Sequence, residues 1–210
     1  MSINAKNVSK QRELTPAGNY VARCYQMIEL GTAEENFMGE TKIMQKVRIG
    51  WEFPTELKVF NPEKGEQPIV ISKEYTLSMH EKASLRKDLE SWRGKAFSEK
   101  EASCFDITKL IGAACMINLI HKPSEKDPSK LYERISSITP TPKGLSCPKQ
   151  INPTFVISFD EFDESKFNTL PDFIKDRIKI SNEYKKLIAP EHIEVVESTS
   201  DDDETSDLPF

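Results

Sequence analysis

Apolar and polar residues alternate most regularly over residues 42–53 of this chain. The apolar positions of this stretch share one parity and are Val47, Ile49, Trp51 and Phe53. The polar positions share the other parity and are Lys46, Arg48, Gly50 and Glu52. Successive side chains of a β-strand point to opposite faces, so the pattern predicts a half-buried strand whose apolar side chains enter the core.

Stretches rich in β-branched and aromatic residues predict four further strands, at 18–30, 69–79, 113–121 and 131–139. Between the third and fourth strands the spacing becomes helical, because Leu85, Leu89 and Trp92 recur on one face and Gly94 is suited to a C-terminal cap. Trp51 and Trp92 fit the apolar periodicity of their elements and are expected in the core. The polar or proline-containing residues 31–41 and 54–68 are predicted as loops, and 106–111 as a short helical turn.

Three strands, a helix and two strands follow one another in this prediction. That is the order of the OB-fold, a five-stranded Greek-key barrel with its helix between strands 3 and 4, which binds oligonucleotides on strands 2 and 3 and the adjacent loops. The chain is therefore expected to be mainly β with added helices. The expected layout is a flexible N-terminal arm (1–14), the barrel (15–140), a Pro-rich connection with a C-terminal helical extension (141–190) and a disordered acidic tail (191–210).

A C-terminal helix is predicted over residues 171–188. Its apolar positions lie on roughly one face and are Phe173, Ile174, Ile178, Tyr184 and Leu187. An apolar face of this kind needs a partner, so we expect the helix to pack against the barrel or against a neighbouring subunit.

Charge is divided unevenly along the chain. The net charge is −5, yet residues 1–150 carry 23 Lys and Arg against 19 Asp and Glu, and residues 151–210 carry 6 against 15. The last twenty residues hold eight acids and no Lys or Arg, so the chain without them has a net charge of +3. A mildly basic body can accept a polyanion, whereas the acidic tail cannot.

The chain ends in DDDETSDLPF, an acidic run followed by an apolar tip. The acids favour fast association with a basic partner, Phe210 can enter an apolar pocket, and Pro209 restricts the backbone and lowers the entropy lost on docking. The tail is therefore predicted to be a tethered ligand for other proteins. The expected docking residues are Asp201, Asp202, Asp203, Asp207, Leu208, Pro209 and Phe210.

This tail resembles the acidic tip of bacterial single-stranded DNA-binding proteins, in which a run of aspartates precedes an aliphatic residue and a terminal Pro-Phe. The resemblance implies recruitment of replication, recombination and repair proteins, although Thr205 and Ser206 interrupt the acids here. The body, in ELTPAGNYVARCYQMIELG and SLRKDLESWRGKAF, looks more like the bacteriophage-encoded members of the family. That likeness implies a role in phage DNA metabolism in the cytoplasm of a bacterial host.

Proteins hold single-stranded DNA with cations for the phosphates and aromatic rings for the bases. Three predicted strands together offer cations and aromatic rings at outward positions, and we expect these residues to form one surface. They are Arg23 and Tyr25, Lys46 and Arg48, and Lys73 and Tyr75. Phe37 and Lys42, in the first predicted loop, are expected to close over this surface, and Tyr132 and Arg134 are further candidates on the last strand. For each cation the alternative is plain solvation, and for each tyrosine it is packing in the barrel.

No catalytic motif supports an enzyme, and no cofactor is expected. The cysteines form no CxxC pair and the histidines lie far apart, so neither a zinc site nor a disulfide framework is expected. The acidic pairs Asp160–Glu161 and Asp163–Glu164 lack a third placed ligand for a metal. No apolar run approaches the ~20 residues that cross a bilayer, so no membrane partner is expected.

The leading hypothesis is a sequence-independent single-stranded DNA-binding protein, as a single chain, a homo-oligomer or a filament on DNA. The acidic tail is expected to compete with DNA for the basic body. The alternatives are an annealing or recombination-mediator protein, an adaptor or inhibitor of host replication proteins without DNA affinity, and a metal-dependent nuclease.

Overall fold

The computed structural model describes residues 13–37, 39–125 and 127–189. The strands are β1 (Gly18–Phe37), β2 (Glu40–Asn61), β3 (Gly65–Thr76), β4 (Ala114–Pro123), β5 (Leu131–Thr139) and β6 (Phe155–Ile157). The helices are α1 (Ser84–Arg93), α2 (Glu99–Ala102), α3 (Glu164–Thr169), α4 (Asp172–Lys179) and α5 (Asn182–Ile188). Short 3-10 turns lie at Pro62–Lys64 and Ile107–Leu110, the second of which confirms the predicted helical turn.

Five strands form an antiparallel sheet in the order β3-β2-β1-β4-β5, and the sheet curls into a half-barrel. The short strand β6 adds to β1 in the parallel direction. Strands β3 and β5 are the two ends of the path, and α1 contacts both of them. The protein is therefore mainly β with a few helices, as predicted.

The main core lies between the inner face of the curled sheet and α1. Val47, Ile49, Trp51 and Phe53 of β2 are at most 2% exposed, which confirms their predicted inward parity. The predicted helix is also confirmed, because Leu85, Leu89 and Trp92 of α1 are buried in this core. Gly94 ends α1 with φ 66° and ψ 21°, the left-handed conformation for which glycine was predicted there.

A β-bulge at Tyr25 changes the parity of β1. Cys24 pairs with Trp51 and Gln26 pairs with Gly50, so Tyr25 is the extra residue on its strand. Beyond the bulge Met27 joins the main core, and Ile28 turns to the opposite face of the sheet. Simple alternation along residues 18–30 would predict Ile28 and Leu30 on the face of Ala22 and Cys24, and the bulge makes that prediction wrong.

A second apolar core covers the outer face of β1. Ile28 and Leu30 pack there against side chains of β6, α3 and α4, namely Ile157, Phe167, Leu170, Ile174 and Ile178. This confirms that the C-terminal extension packs on the sheet. The single helix predicted over 171–188 is wrong, because α4 ends at Lys179 and the Ser181 hydroxyl then caps α5 by accepting the Tyr184 N–H. Phe173 and Leu187 of the predicted apolar face are exposed.

Both predicted long loops are mostly strand. Strand β1 continues to Phe37 and β2 begins at Glu40, while β2 runs on to Asn61. Most residues of β2 beyond Phe53 are exposed or half-buried, so no apolar alternation marks them. Pro54 lies where the β2–β3 register shifts between Phe53 and Leu57, a position at which proline interrupts no ladder hydrogen bond.

The Pro-rich connection is fixed to the outer face of the sheet by two cross-strand neighbours, Arg23 and Glu52. The Arg23 guanidinium donates to the carbonyl oxygens of Cys147 and Pro148, both at 2.9 Å, and to that of Gly112. The Glu52 carboxylate, which is 0% exposed, accepts the N–H groups of Ile151 and Asn152 at 2.6 and 2.8 Å. Charge-assisted hydrogen bonds of this kind are among the stronger ones in proteins, so this segment belongs to the folded body.

Candidate nucleic-acid interface

A groove lies between the two edge strands, β3 and β5. It consists of two adjoining cavities of about 720 and 700 Å³, which share Arg48, Ser72 and Glu133 in their linings. Arg48 reaches it from β2. We call this space the β3–β5 groove. Because β3 and β5 are the ends of the sheet path, the groove follows the line along which the half-barrel is open.

The β3–β5 groove carries an excess of positive side chains. Its basic residues are Arg48, Lys73, Lys122, Lys130 and Arg134, and its acidic residues are Glu74, Glu125 and Glu133. Cations in a concave site raise the local concentration of polyanions. The groove is therefore a suitable place for a phosphate backbone.

The wall formed by β4 and β5 presents the most accessible of these groups. Lys122 pairs across the strands with Tyr132, and Arg134 follows Tyr132 on the same face of β5. Tyr132 is 49% exposed, and both Lys122 and Arg134 are exposed. Within the described part of the chain, neither cation has an ion-pair partner. The structure thus brings the predicted residues Tyr132 and Arg134 together and adds Lys122.

Sequence reasoning missed Lys122 and Lys130. Lys122 continues the strand that was predicted to end at residue 121, and its pairing with Tyr132 follows from the β4–β5 register. The predicted strands, paired end to end, would have placed Lys122 opposite Lys130, and the register shift between Asn118 and Leu119 brings it beside Tyr132. Lys130 lies in the connection between these strands and pairs with Asp127 at 3.2 Å.

The outward parity predicted for Lys46 and Arg48 is confirmed, and both side chains have neighbours. Lys46 Nζ donates to Thr76 Oγ1 at 2.9 Å. Arg48 forms an ion pair with Glu74 at 2.9 Å, and its guanidinium carbon lies 5.7 Å from the centre of the Phe173 ring. Arg48 thus joins the groove to the C-terminal extension.

Arg23 and Tyr25 lie away from the groove. The hydrogen bonds of Arg23 to the Pro-rich connection give it a structural role in this fold. Tyr25 is half-buried, and burial, followed by the charge of Glu52, raises its pKa to about 12. Arg23 is therefore taken up by the connection and is not free to join a surface with Arg48, which corrects that part of the predicted three-strand surface. Tyr25 lies near enough to Arg48 for this charge to act on its pKa in the lowering direction, so its part in such a surface stays a prediction.

Lys73 and Tyr75 lie on the inner parity of β3, because they pair with Ile49 and Val47 of the core. The predicted outward orientation of this pair is wrong. Tyr75 is 2% exposed and its hydroxyl donates to Asp88 Oδ2 of α1 at 2.7 Å. Lys73 pairs with the same oxygen at 2.6 Å, and as a residue of an edge strand it still lines the groove. The alternation does carry this information, because Ile69, Ile71, Leu77 and Met79 share the parity of Lys73 and Tyr75 and pack against the main core.

The remaining predicted residues lie in the β1–β2 hairpin and at the C-terminal end of the chain. Phe37 pairs with Glu40, and Lys42 pairs with Glu35, so both belong to strands and not to a loop. Lys42 is exposed and lies 3.5 Å from a carboxylate oxygen of Glu40. The side chain of Phe37 lies outside the described part. The docking residues Asp201, Asp202, Asp203, Asp207, Leu208, Pro209 and Phe210 also lie outside the described residues.

Another cavity, of about 780 Å³, lies between β1, β2, α1 and α2. Its polar lining is acidic and includes Glu29, Glu99, Asp106 and Asp160. Four carboxylates repel a phosphate backbone, so this cavity is the less suitable place for a nucleic acid. Within residues 13–37, 39–125 and 127–189 no group of three or more His, Cys, Asp or Glu side chains could hold a metal ion.

Comparison of the chain with protein-family models, with curated proteins and with solved structures gives no match. Among the described residues, no helix has both the length and the apolar character to cross a membrane.

Proposed function

We propose that this protein binds single-stranded DNA without sequence preference, and that the strand lies in the β3–β5 groove. The observation that carries the proposal is the exposed Tyr132 between Lys122 and Arg134 on one wall of that groove. Cations that meet phosphates carry no sequence information, and a tyrosine ring can stack on any unpaired base. In a duplex both faces of each base are covered by neighbouring bases, so a protein ring can stack only on an unpaired base. This arrangement therefore favours a single strand.

The proposal includes an OB-fold barrel as the finer description of the half-barrel. In support, the strand order β3-β2-β1-β4-β5 becomes that of an OB barrel when β3 and β5 are placed side by side. Helix α1 comes between β3 and β4 in the chain and contacts both edges, as the connecting helix of such a barrel would. The groove then runs along β3 and beside the loop between strands 4 and 5, which are two of the parts with which OB-folds bind oligonucleotides.

The proposed setting is phage DNA replication, recombination and repair. Its support is the resemblance of the terminal Asp201–Phe210 segment to the tip of bacterial single-stranded DNA-binding proteins. In this proposal the groove supplies the affinity for DNA, and the tail recruits other proteins to the coated strand. The chain acts as a binding protein and not as an enzyme.

The test is a titration of fluorescent oligo(dT) at two salt concentrations with the full chain and two double variants. Lys122→Gln with Arg134→Gln removes the two groove cations that have no ion-pair partner among the described residues. Lys100→Gln with Lys109→Gln removes two exposed cations outside the groove and changes the net charge equally. The logarithm of affinity should decline with the logarithm of salt, and the groove variant should reduce that slope by about 0.7 per lost phosphate contact.

We expect the groove variant to bind about 10-fold or more weakly at low salt, while the matched variant stays near the wild type. Equal losses in both double variants would refute the groove as the site, since net charge alone would then explain the affinity. Absence of binding to oligo(dT) would reject the function and favour an adaptor without DNA affinity.

A further inference from the structure

Phe173 of α4 is exposed although its helix packs on the sheet. Its neighbours Ile174 and Ile178 are 5% and 0% exposed in the second core, whereas Phe173 is 58% exposed. The second core is thus complete without its ring. Single exposed apolar side chains are common on protein surfaces, so the observation that matters for Phe173 is its contact with charged groups and not its exposure.

Two arginines lie close to Phe173. The guanidinium of Arg48 lies beneath its ring, 5.7 Å from the centre, at a distance typical of a cation–π contact. Glu74 accepts a hydrogen bond from Arg48 at 2.9 Å and another from Arg177. Arg177 lies one helical turn after Phe173 in α4. Two arginines therefore share one carboxylate, and this group, which we call the Phe173 cluster, has a net charge of +1.

The Phe173 cluster adjoins the β3–β5 groove, because Arg48 and Glu74 line that groove themselves. A strand that contacts Lys122 and Arg134 on one wall meets Arg48 at the floor and Phe173 beyond it. The extension thereby provides a second exposed aromatic ring, which contacts the groove residue Arg48.

We propose that Phe173 stacks on an unpaired base of the bound strand, and that Arg177 and Arg48 contact its flanking phosphates. This inference rests on the proposed function. The groove's excess of positive charge favours a polyanion over a neutral apolar peptide as the occupant of this site. The C-terminal extension is then part of the DNA-binding surface and not only a cover for the outer face of β1.

The experiment separates stacking from packing by changing aromatic character at nearly constant bulk. Phe173→Leu keeps an apolar side chain, Phe173→Tyr keeps the ring, and Phe60→Ala is the control. Phe60 is 55% exposed, similar to Phe173, and does not line the β3–β5 groove. Each protein is titrated with oligo(dT) and with an oligonucleotide of the same length whose central bases are removed.

On oligo(dT) we expect Phe173→Leu to bind roughly 5- to 100-fold more weakly, as the loss of one stacked base implies, and Phe173→Tyr to stay within about 2-fold. The Phe60→Ala control should bind like the wild type. On the strand with abasic sites the wild type and Phe173→Leu should bind equally, because no base is present for the ring to contact.

The inference is overturned if Phe173→Leu binds oligo(dT) as well as the wild type, or if its deficit persists unchanged on the abasic strand. In either case a loss of affinity in the Lys122→Gln, Arg134→Gln variant would leave the proposed function intact. A wild type that does not bind oligo(dT) overturns both.

Discussion

Two tyrosines on the edge strands have opposite environments. Tyr75 of β3 is buried and donates its hydroxyl hydrogen to Asp88, and burial, followed by the charge of Asp88, raises its pKa. Tyr132 of β5 is half exposed beside Lys122. The sequence motif around each is similar, with a tyrosine two residues from a basic residue, so only the orientation of the strand separates a packing role from a binding role.

Tyr75→Phe should therefore change stability and leave DNA affinity unchanged. The substitution removes a hydrogen bond to an ionised partner that Lys73 still contacts, so we expect a loss of about 1–2 kcal/mol in the free energy of unfolding. Urea denaturation measures this loss, and an oligo(dT) titration should stay within about 2-fold of the wild type. The comparison is Tyr132→Leu, for which we expect weaker binding at unchanged stability. A large loss of affinity in Tyr75→Phe would contradict the inward orientation.

Arg23 shows that sequence can predict the orientation of a single side chain but not its distant hydrogen-bond partners. Its outward parity on β1 was correctly predicted, but its guanidinium donates to carbonyl oxygens near residue 147, more than a hundred positions away. No local pattern predicts a contact over that distance. An outward arginine could therefore be predicted from the alternation, whereas its role in fixing the connection could not.

At the level of elements, strands and helices that contribute to the main core were predictable, and those beyond it were predictable only in part, as the two helices within 171–188 show. Strand β2 was recognised over 42–53, where its apolar side chains face α1, and missed beyond Pro54, where most of its residues are exposed. The bulge at Tyr25 leaves no signature in composition, yet it moves Ile28 to the outer face and creates the second core. The position of Phe173 depends on that core and so was equally hidden.

The second core permits a comparison of two isoleucines, one buried in α4 and one exposed just after it. Ile178 of α4 is 0% exposed, and Ile180, just after the helix, is 65% exposed. Ile178→Ala should lower the free energy of unfolding by about 2–5 kcal/mol, because a buried cavity is left behind. Ile180→Ala should stay within about 0.5 kcal/mol of the wild type. Chemical denaturation of both variants measures the difference, and equal small effects would mean that α4 does not contribute to folding through this face.

Charge organises the whole molecule into regions with different affinities for a polyanion. The β3–β5 groove has an excess of cations, while the cavity beside α1 and α2 is lined by carboxylates. The last twenty residues add eight further negative charges. A strand of DNA and the acidic tail are therefore expected to compete for the same basic surface, and the outcome should depend on ionic strength.

Deleting residues 191–210 changes the formal net charge from −5 to +3 and should strengthen binding to oligo(dT), most strongly at low salt. A synthetic peptide of residues 191–210 added to the truncated protein should weaken binding again. The peptide's two parts can be tested separately. Changing Asp201, Asp202 and Asp203 to Asn leaves five of its eight acids and should weaken the competition with DNA, whereas Phe210→Ala should preserve it. In the full chain Phe210→Ala should instead abolish the capture of host replication proteins. If truncation leaves DNA affinity unchanged across salt concentrations, the tail does not compete for the groove, because electrostatic competition must weaken as salt screens it.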